Sequence, residues 1–255
     1  MRRLTLPLLA LGLATMAHAA DEKTSNWSGE SELGYVWKSG NTQSETLNAK
    51  QRVVFDARPW TNTFIAEASN TVNSEVNTVS GKKEKARIGE RYLVSDQVDY
   101  FVAKHTYTFG RASWEKDRFN GFEYRASWVL GVGHDFFDTG TFKLKGELGA
   151  GEAVDVIEED LGATPIVNKQ RRRDTLGHFF EELTWKFSTN AELGQSLRTE
   201  YTNFNTYSRF DVYIKSMLIA NVAMKAAYTL RYNTDVPKDS RHKDEEFTLS
   251  LSYNF

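Results

Sequence analysis

The chain has 255 residues, a formal net charge of −2 and no cysteine. The charge balance argues against a nucleic-acid partner, and the missing cysteines exclude disulfides and a lipid-anchored lipoprotein. At 40% hydrophobic and 13% aromatic, with only 4 prolines, the composition fits a soluble β protein or a membrane barrel that hides its apolarity by alternation.

The first element is a targeting segment. Arg2 and Arg3 precede the apolar run Leu4–Met16, and Ala17-His18-Ala19 follows as a small-x-small site. This reads as a secretory signal peptide cleaved after Ala19, leaving 20–255 as one barrel domain. The run is too short for a comfortable membrane anchor. Cleavage removes two of the 32 basic residues and none of the 34 acidic ones. No later apolar run approaches the ~18 residues of a transmembrane helix.

From Trp27 onward apolar and polar residues alternate with period two, the signature of strands. Trp27, Gly29, Ser31, Leu33, Tyr35 and Trp37 share one face, with Glu30, Glu32, Gly34 and Lys38 on the other. Twelve such segments are expected, at 26–38, 44–57, 61–73, 84–94, 98–109, 121–136, 141–151, 174–187, 191–201, 207–218, 222–233 and 244–255. Most exceed the roughly 9–11 residues that cross a bilayer as a tilted strand. Short connections at 58–62, 95–97, 137–140, 188–190 and 220–221 alternate with longer ones at 74–83, 110–120, 152–173 and 234–243. That sorting predicts an all-β fold: an antiparallel transmembrane β-barrel of 12 strands in a Gram-negative outer membrane, long loops outward.

Aromatic residues gather near the segment ends: Trp27, Trp37, Trp60, Phe136, Trp185, Phe187, Tyr201, Tyr232, Tyr253 and Phe255. Rings at these positions fit girdles at the two lipid–water interfaces. The closing SLSYNF places Phe247, Leu249, Leu251, Tyr253 and Phe255 on one face. In a closed barrel this last strand pairs with the first. Tyr253 and Phe255 also resemble the C-terminal signature that the barrel-assembly machinery reads. Glu90, Glu181, His105 and His134 fall in the outward rows against the pattern. A bulge or an off-by-one phase would remove the two glutamates from lipid.

The inward rows carry the charge. Lys50, Arg52, Glu67, Lys85, Arg87, Arg91, Glu123, Arg125, Lys143, Lys145, Glu147, Glu182, Lys186, Arg198, Glu200, Arg209, Asp211, Lys215, Lys225 and Arg231 are expected to line the lumen. Two readings stand open. One is a channel that selects small solutes or anions. The other is a barrel plugged by salt bridges, with a structural or adhesive role in the envelope. The sharpest feature is the basic patch of Lys50, Arg52, Lys85, Arg87 and Arg91, which calls for an anion or for carboxylates such as Glu67.

Enzyme chemistry is poorly supported. His105, His134, His178 and His242 show no metal-binding spacing. Ser127 and His105 lie on expected neighbouring strands but face opposite ways, a poor base for an acyl hydrolase acting on lipid. No enzyme activity, cofactor or metal is expected. Within 152–173, five acidic residues precede Arg171, Arg172 and Arg173. This stretch could form a self-paired lid, bind divalent cations, grip lipopolysaccharide phosphates, or stand as a solvated charged loop.

The stretches GYVWKSGNTQSETLNAK and DRFNGFEYRASWVLGVGHDFF resemble a known family, the YdiY-like salt-induced outer-membrane proteins, catalogued as a domain of unknown function. The resemblance rests on Gly40, Asn41 and Thr42 after Ser39, and on Asp117, Arg118, Phe119 and Gly121 with Arg125, Gly131 and Gly133 beyond. It spans essentially the whole mature chain. The family often has an aromatic where this chain has His134, and Gly-Pro-Gly-Tyr where it has Gly149-Ala150-Gly151-Glu152. The resemblance implies an outer-membrane location, with outer-membrane lipid and lipopolysaccharide as neighbours, and a tie to salt or envelope stress. It supplies no activity and no catalytic residue.

Overall fold

The structure is a computed structural model that describes residues 26–38, 43–76, 83–117, 122–160, 167–236 and 242–255. Residues 1–19, with the expected cleavage site, lie outside the described residues, as do Gly40, Asn41, Thr42, Arg118, Phe119 and Gly121 of the family motifs. Twelve strands run in chain order: β1 Trp27–Lys38, β2 Gln43–Ala57, β3 Trp60–Val76, β4 Lys83–Phe101, β5 Thr106–Asp117, β6 Phe122–Asp138, β7 Phe142–Asp160, β8 Val167–Trp185, β9 Ala191–Tyr201, β10 Thr206–Ile219, β11 Val222–Asn233 and β12 Lys243–Asn254. Each pairs antiparallel with its sequence neighbours, and β1 pairs with β12 to close the barrel.

The distribution of residues is the inverse of a water-soluble protein. Leu33, Trp60, Leu130, Leu148, Ile219 and Phe247 stand exposed on the outer wall, while Arg91, Glu147, Asp155, His178 and Arg209 are buried inside. Charged residues are almost never buried unless paired, and so large an apolar surface does not face water. Period-two alternation resolves both problems when the outer solvent is lipid. The chain is therefore a transmembrane barrel.

Strand ends depart from expectation in two places. Ser95, Asp96 and Gln97 do not turn the chain. They lie within β4, and the turn falls at 102–105. Ser95 and Asp99 are buried in the interior row, where a barrel strand carries polar residues that read locally as a turn. The expected 110–120 loop is accordingly mostly β5. The expected 152–173 loop is likewise mostly strand: Glu152–Asp160 of β7 pairs in unbroken register with Val167–Thr175 of β8. The length expected in loops thus lies in projecting hairpins. At ~3.3 Å per residue and ~40° tilt, a strand such as β7 rises well beyond the ~25 Å apolar band.

One rim carries the start of β1, the end of β12 and the connections 58–59, 102–105, 139–141, 186–190 and 220–221. His105 sits in one of those turns, and His134 bonds the Thr106 hydroxyl at 2.9 Å beside it, so both histidines belong to this rim. Glu90 pairs with Asn70 next to the register shift at Thr71/Val72. The ladders of β8 show no shift, so Glu181 remains on the outer face between Phe179 and Leu183, and nothing in the structure explains it.

The seam between first and last strands begins with a reciprocal pair: the Gly29 N–H donates to the Phe255 carbonyl at 2.8 Å and the Phe255 N–H to the Gly29 carbonyl at 3.0 Å. The Phe255 ring covers Gly29, where a Cβ would lie 2.3 Å from the ring. From there the ladder runs to Gly34↔Ser250. Phe255→Ala uncovers Gly29 at the start of this short ladder. It is expected to cost about 1–2 kcal/mol, read as a lower transition in heat-modifiable gel mobility. An unchanged transition would show that the ring contributes nothing to closure.

Candidate functional site

The interior is built from the inward rows of all the strands. At its centre Glu67, on β3, gathers three cations. Its carboxylate accepts from Arg91 on β4 at 2.9 Å and from Arg209 on β10 at 2.9 and 3.2 Å, and Lys50 on β2 stands 3.3 Å away. Both arginines have a second partner: Arg91 pairs with Glu115 at 2.6 Å and Arg209 with Asp211 at 2.8 Å. Strands β3 and β10 are far apart in the barrel order, so the Arg209–Glu67 contact crosses the lumen. Arg52 on β2 and Glu182 on β8 make a second crossing at 3.5 Å between opposite walls.

Further pairs fill the remaining space. Lys215 reaches Glu30 at 3.3 Å and Glu192 at 2.8 Å. Lys225 reaches Glu32 at 2.6 Å and lies over the Tyr213 ring. Arg125 donates twice to Asp155 at 2.8 Å, the fork geometry that guanidinium favours. Glu147 accepts from the Tyr107 hydroxyl at 2.8 Å and from Gln97 at 3.0 Å. Arg111 donates to Glu200 at 3.0 Å, and His178 sits between Glu147 and Glu200. Arg231 binds Glu246 at 3.0 Å, and Asn48 holds the other oxygen of Glu246 at 2.9 Å. A buried charge is tolerated when it is paired and hydrogen-bonded, and nearly every interior charge here is.

The expected lumen residues divide into four groups. Lys50, Arg52, Glu67, Arg91, Arg125, Lys145, Arg209, Lys215, Lys225 and Arg231 join the interior network through ion pairs. Arg198 faces the interior across from Arg209 and lies over the Phe180 ring. Lys143 departs from expectation: it is exposed at the terminal rim and pairs with Asp138 at 3.0 Å. The side chains of Lys85 and Arg87 lie outside the described residues. The register shift at Thr71/Val72 falls between their stretch and Arg91, so the expected basic patch is not one continuous row. The serine–histidine pair is not formed: Ser127 shares a 2.8 Å hydrogen bond with Ser113, and His105 is in the rim turn.

One interior feature escaped the sequence reading. Tyr107, Phe109, Val129, Ala153 and Leu176 form a buried apolar cluster inside the wall of β5–β8. Glycines make room for it. A Cβ at Gly133 would lie 2.2 Å from the Tyr107 ring, and one at Gly131 would lie 2.6 Å from the Phe109 ring. Large rings laid over strand glycines are a recognised way to fill a curved wall. The run Gly131, Gly133, Gly149 and Gly151 was the available signal. The cluster and the ion pairs together leave only small recesses, one of them lined by Glu115, Asp117, Arg125, Tyr207, Arg231, Asn233 and Asp244.

Comparison with known proteins agrees with the fold. The chain is 26% identical over 230 residues to the "Uncharacterized protein YdiY" of Escherichia coli (strain K12), covering 89% of this chain and 82% of that one. Its structure is similar to the translocator domain of autotransporter NalP from Neisseria meningitidis, with TM-score 0.50 at 11% identity over 92% of this chain and 90% of that one. It also matches the NanC porin with TM-score 0.49 at 10% identity, covering 88% and 98%. A family model described as "Protein of unknown function, DUF481" matches residues 31–255, and the chain belongs to that family.

Proposed function

We propose that this protein is an outer-membrane barrel, exported by a cleaved signal peptide over residues 1–19, whose lumen is closed to solutes at rest by side-chain ion pairs. Its role in the envelope is then structural, exerted through the lipid-facing wall and the outward rim. The observation that carries this reading is the Arg209–Glu67 bridge across the lumen, with Arg52–Glu182 as a second crossing. The rim bearing the start of β1 and the end of β12 faces the periplasm, as its short turns indicate. The C-terminal strand, with Tyr253 and Phe255, is the segment offered to the barrel-assembly machinery.

A second reading is a gated small-anion path, tied to salt or envelope stress as the family resemblance implies. Arg198, Arg209 and Arg231 stand directly opposite one another on β9, β10 and β11. Like charges so placed repel unless counter-charge is supplied. The contacts that close the lumen are made by side chains, so opening needs rotamer changes and no refolding.

Single-channel recording of the refolded mature chain in a planar bilayer separates the two. The wild type is expected to insert without steady conductance. Anion-selective conductance in the unmodified protein would overturn the closed-barrel reading in favour of the second.

A further inference from the structure

We propose that the outer wall of β6–β8 binds the phosphate groups of outer-leaflet lipid, with Arg173 and Arg171 as the ligating cations. The inference rests on the outer-membrane reading above. In β8 the side chains alternate. Arg172 turns away and binds Asp235 at 2.5 Å, while Arg173 binds Glu152 on the outer wall at 2.6 Å. Glu152 is held in turn by the indole N–H of Trp128 at 3.2 Å. Arg171 shares the alternation of Arg173, is exposed, and makes no ion pair with a described residue. Glu152 therefore balances Arg173 alone, and Arg171, two residues further along the same face, adds a guanidinium with no ion pair to a described residue.

Its height matches lipid phosphate. Trp185 marks the periplasmic end of β8 and is exposed on the outer wall. At about 3.3 Å per residue and about 40° tilt, Arg173 stands about 30 Å above it and Arg171 about 35 Å. An apolar band of about 25 Å ends just below both. Trp128 lies on the outer wall of β6, with its indole N–H turned to its cross-strand partner Glu152 on β7 rather than into lipid, as expected of an interfacial tryptophan. An arginine fixed by a carboxylate presents its remaining N–H donors as a planar fork, the geometry that phosphate oxygens accept. Elsewhere on the outer wall, Lys243 is matched one-to-one by Glu245 at 2.9 Å, so that site has no cationic excess.

The test uses the full mature chain, refolded and checked for bilayer insertion by protease protection. Native mass spectrometry in detergent then measures retention of lipid A, of lipid A stripped of its phosphates, and of inorganic phosphate. The wild type is expected to retain phosphorylated lipid A at least tenfold better than the Arg171→Ala/Arg173→Ala double variant, and to treat the stripped lipid as that variant does. Arg173→Lys, which keeps the charge without the fork, should fall between them. Heat-modifiable mobility verifies the fold of each variant. Equal retention by a folded double variant, or of the stripped lipid, overturns the proposal while leaving the membrane barrel intact. Saturation by inorganic phosphate at the same concentration as lipid A overturns the lipid as source. A chain that folds but is not protected in bilayers overturns the outer-membrane reading and this one together.

Discussion

Glu67→Gln is expected to destabilise the barrel by about 3–5 kcal/mol and to open an anion-preferring conductance. The magnitude follows from burial. Glu67, Arg91 and Arg209 have side chains only 11%, 8% and 9% exposed, and removing one member of a buried ion group leaves its partners uncompensated. Arg91 keeps Glu115 and Arg209 keeps Asp211, but Lys50 loses its sole ion-pair partner among the described residues. The excess positive charge then repels itself across the lumen and attracts an anion. Urea unfolding in micelles reads the stability, and planar-bilayer recording reads the conductance. Adding Arg209→Gln to Glu67→Gln restores neutrality, so the double variant should recover part of the loss. A loss below about 1 kcal/mol, with a silent bilayer, would remove Glu67 from the centre of the closure. Arg52→Ala should do far less. Its pair with Glu182 is 3.5 Å long and about a third exposed, the range in which ion pairs contribute about 1 kcal/mol or less.

These effects separate what the lumen charges do for stability from what they do for transport. Two bridges, Arg209–Glu67 and Arg52–Glu182, join opposite walls and hold them at a fixed distance, while others, such as Arg91–Glu115 and Arg125–Asp155, tie neighbouring strands and fill the space between. A barrel built this way resists inward collapse. Under the gated reading, its permeability would depend on which bridge breaks first. The less buried Arg52–Glu182 crossing is the weaker of the two spanning contacts, and it is the natural point of opening under the gated reading.

Strand number and barrel closure were legible because most lipid-facing positions are apolar at alternate residues: Leu47, Ala49, Val53 and Phe55 announce β2 without any knowledge of its neighbours. Strand ends were less so. Ser95, Asp96 and Gln97 resemble a turn, and Glu158, Glu159 and Asp160 resemble a loop, because a strand in a charged lumen or beyond the membrane carries the same residues that a turn does. The lumen charges could be read from their parity, and Glu67 was legible as counter-charge to Lys50 and Arg91 on neighbouring strands, whereas partners across the lumen were not. Glu67 meets Arg209 only because closure and shear bring β3 and β10 face to face, and no local pattern encodes that meeting. The apolar cluster of Tyr107, Phe109, Val129 and Leu176 was hidden for a related reason. Alternation identifies two faces, and in this sector the inner row is apolar as well.

That hidden cluster supports the second large effect. Gly133→Ala is expected to cost about 3 kcal/mol and to lower the yield of folded barrel. The added Cβ would lie 2.2 Å from the Tyr107 ring, and the ring cannot easily retreat. Tyr107 is 2% exposed and donates its hydroxyl to Glu147, also 2% exposed. Moving the ring breaks that bond and leaves a buried carboxylate short of a donor, on top of the overpacking itself. The obstruction is a side chain, so Tyr107→Ala should relieve it: the double variant is expected to be no less stable than Tyr107→Ala alone. Gly131→Ala offers the contrast. Its Cβ would meet the Leu148 carbonyl at 2.3 Å as well as the Phe109 ring, and the carbonyl belongs to the backbone of the neighbouring strand. Phe109→Ala should therefore not rescue Gly131→Ala. Urea midpoints of these variants in micelles decide the matter. If the Gly133 and Tyr107 losses simply add, the two residues do not share the space the structure gives them. If both glycine variants are rescued alike, the wall is more yielding than its backbone contacts imply.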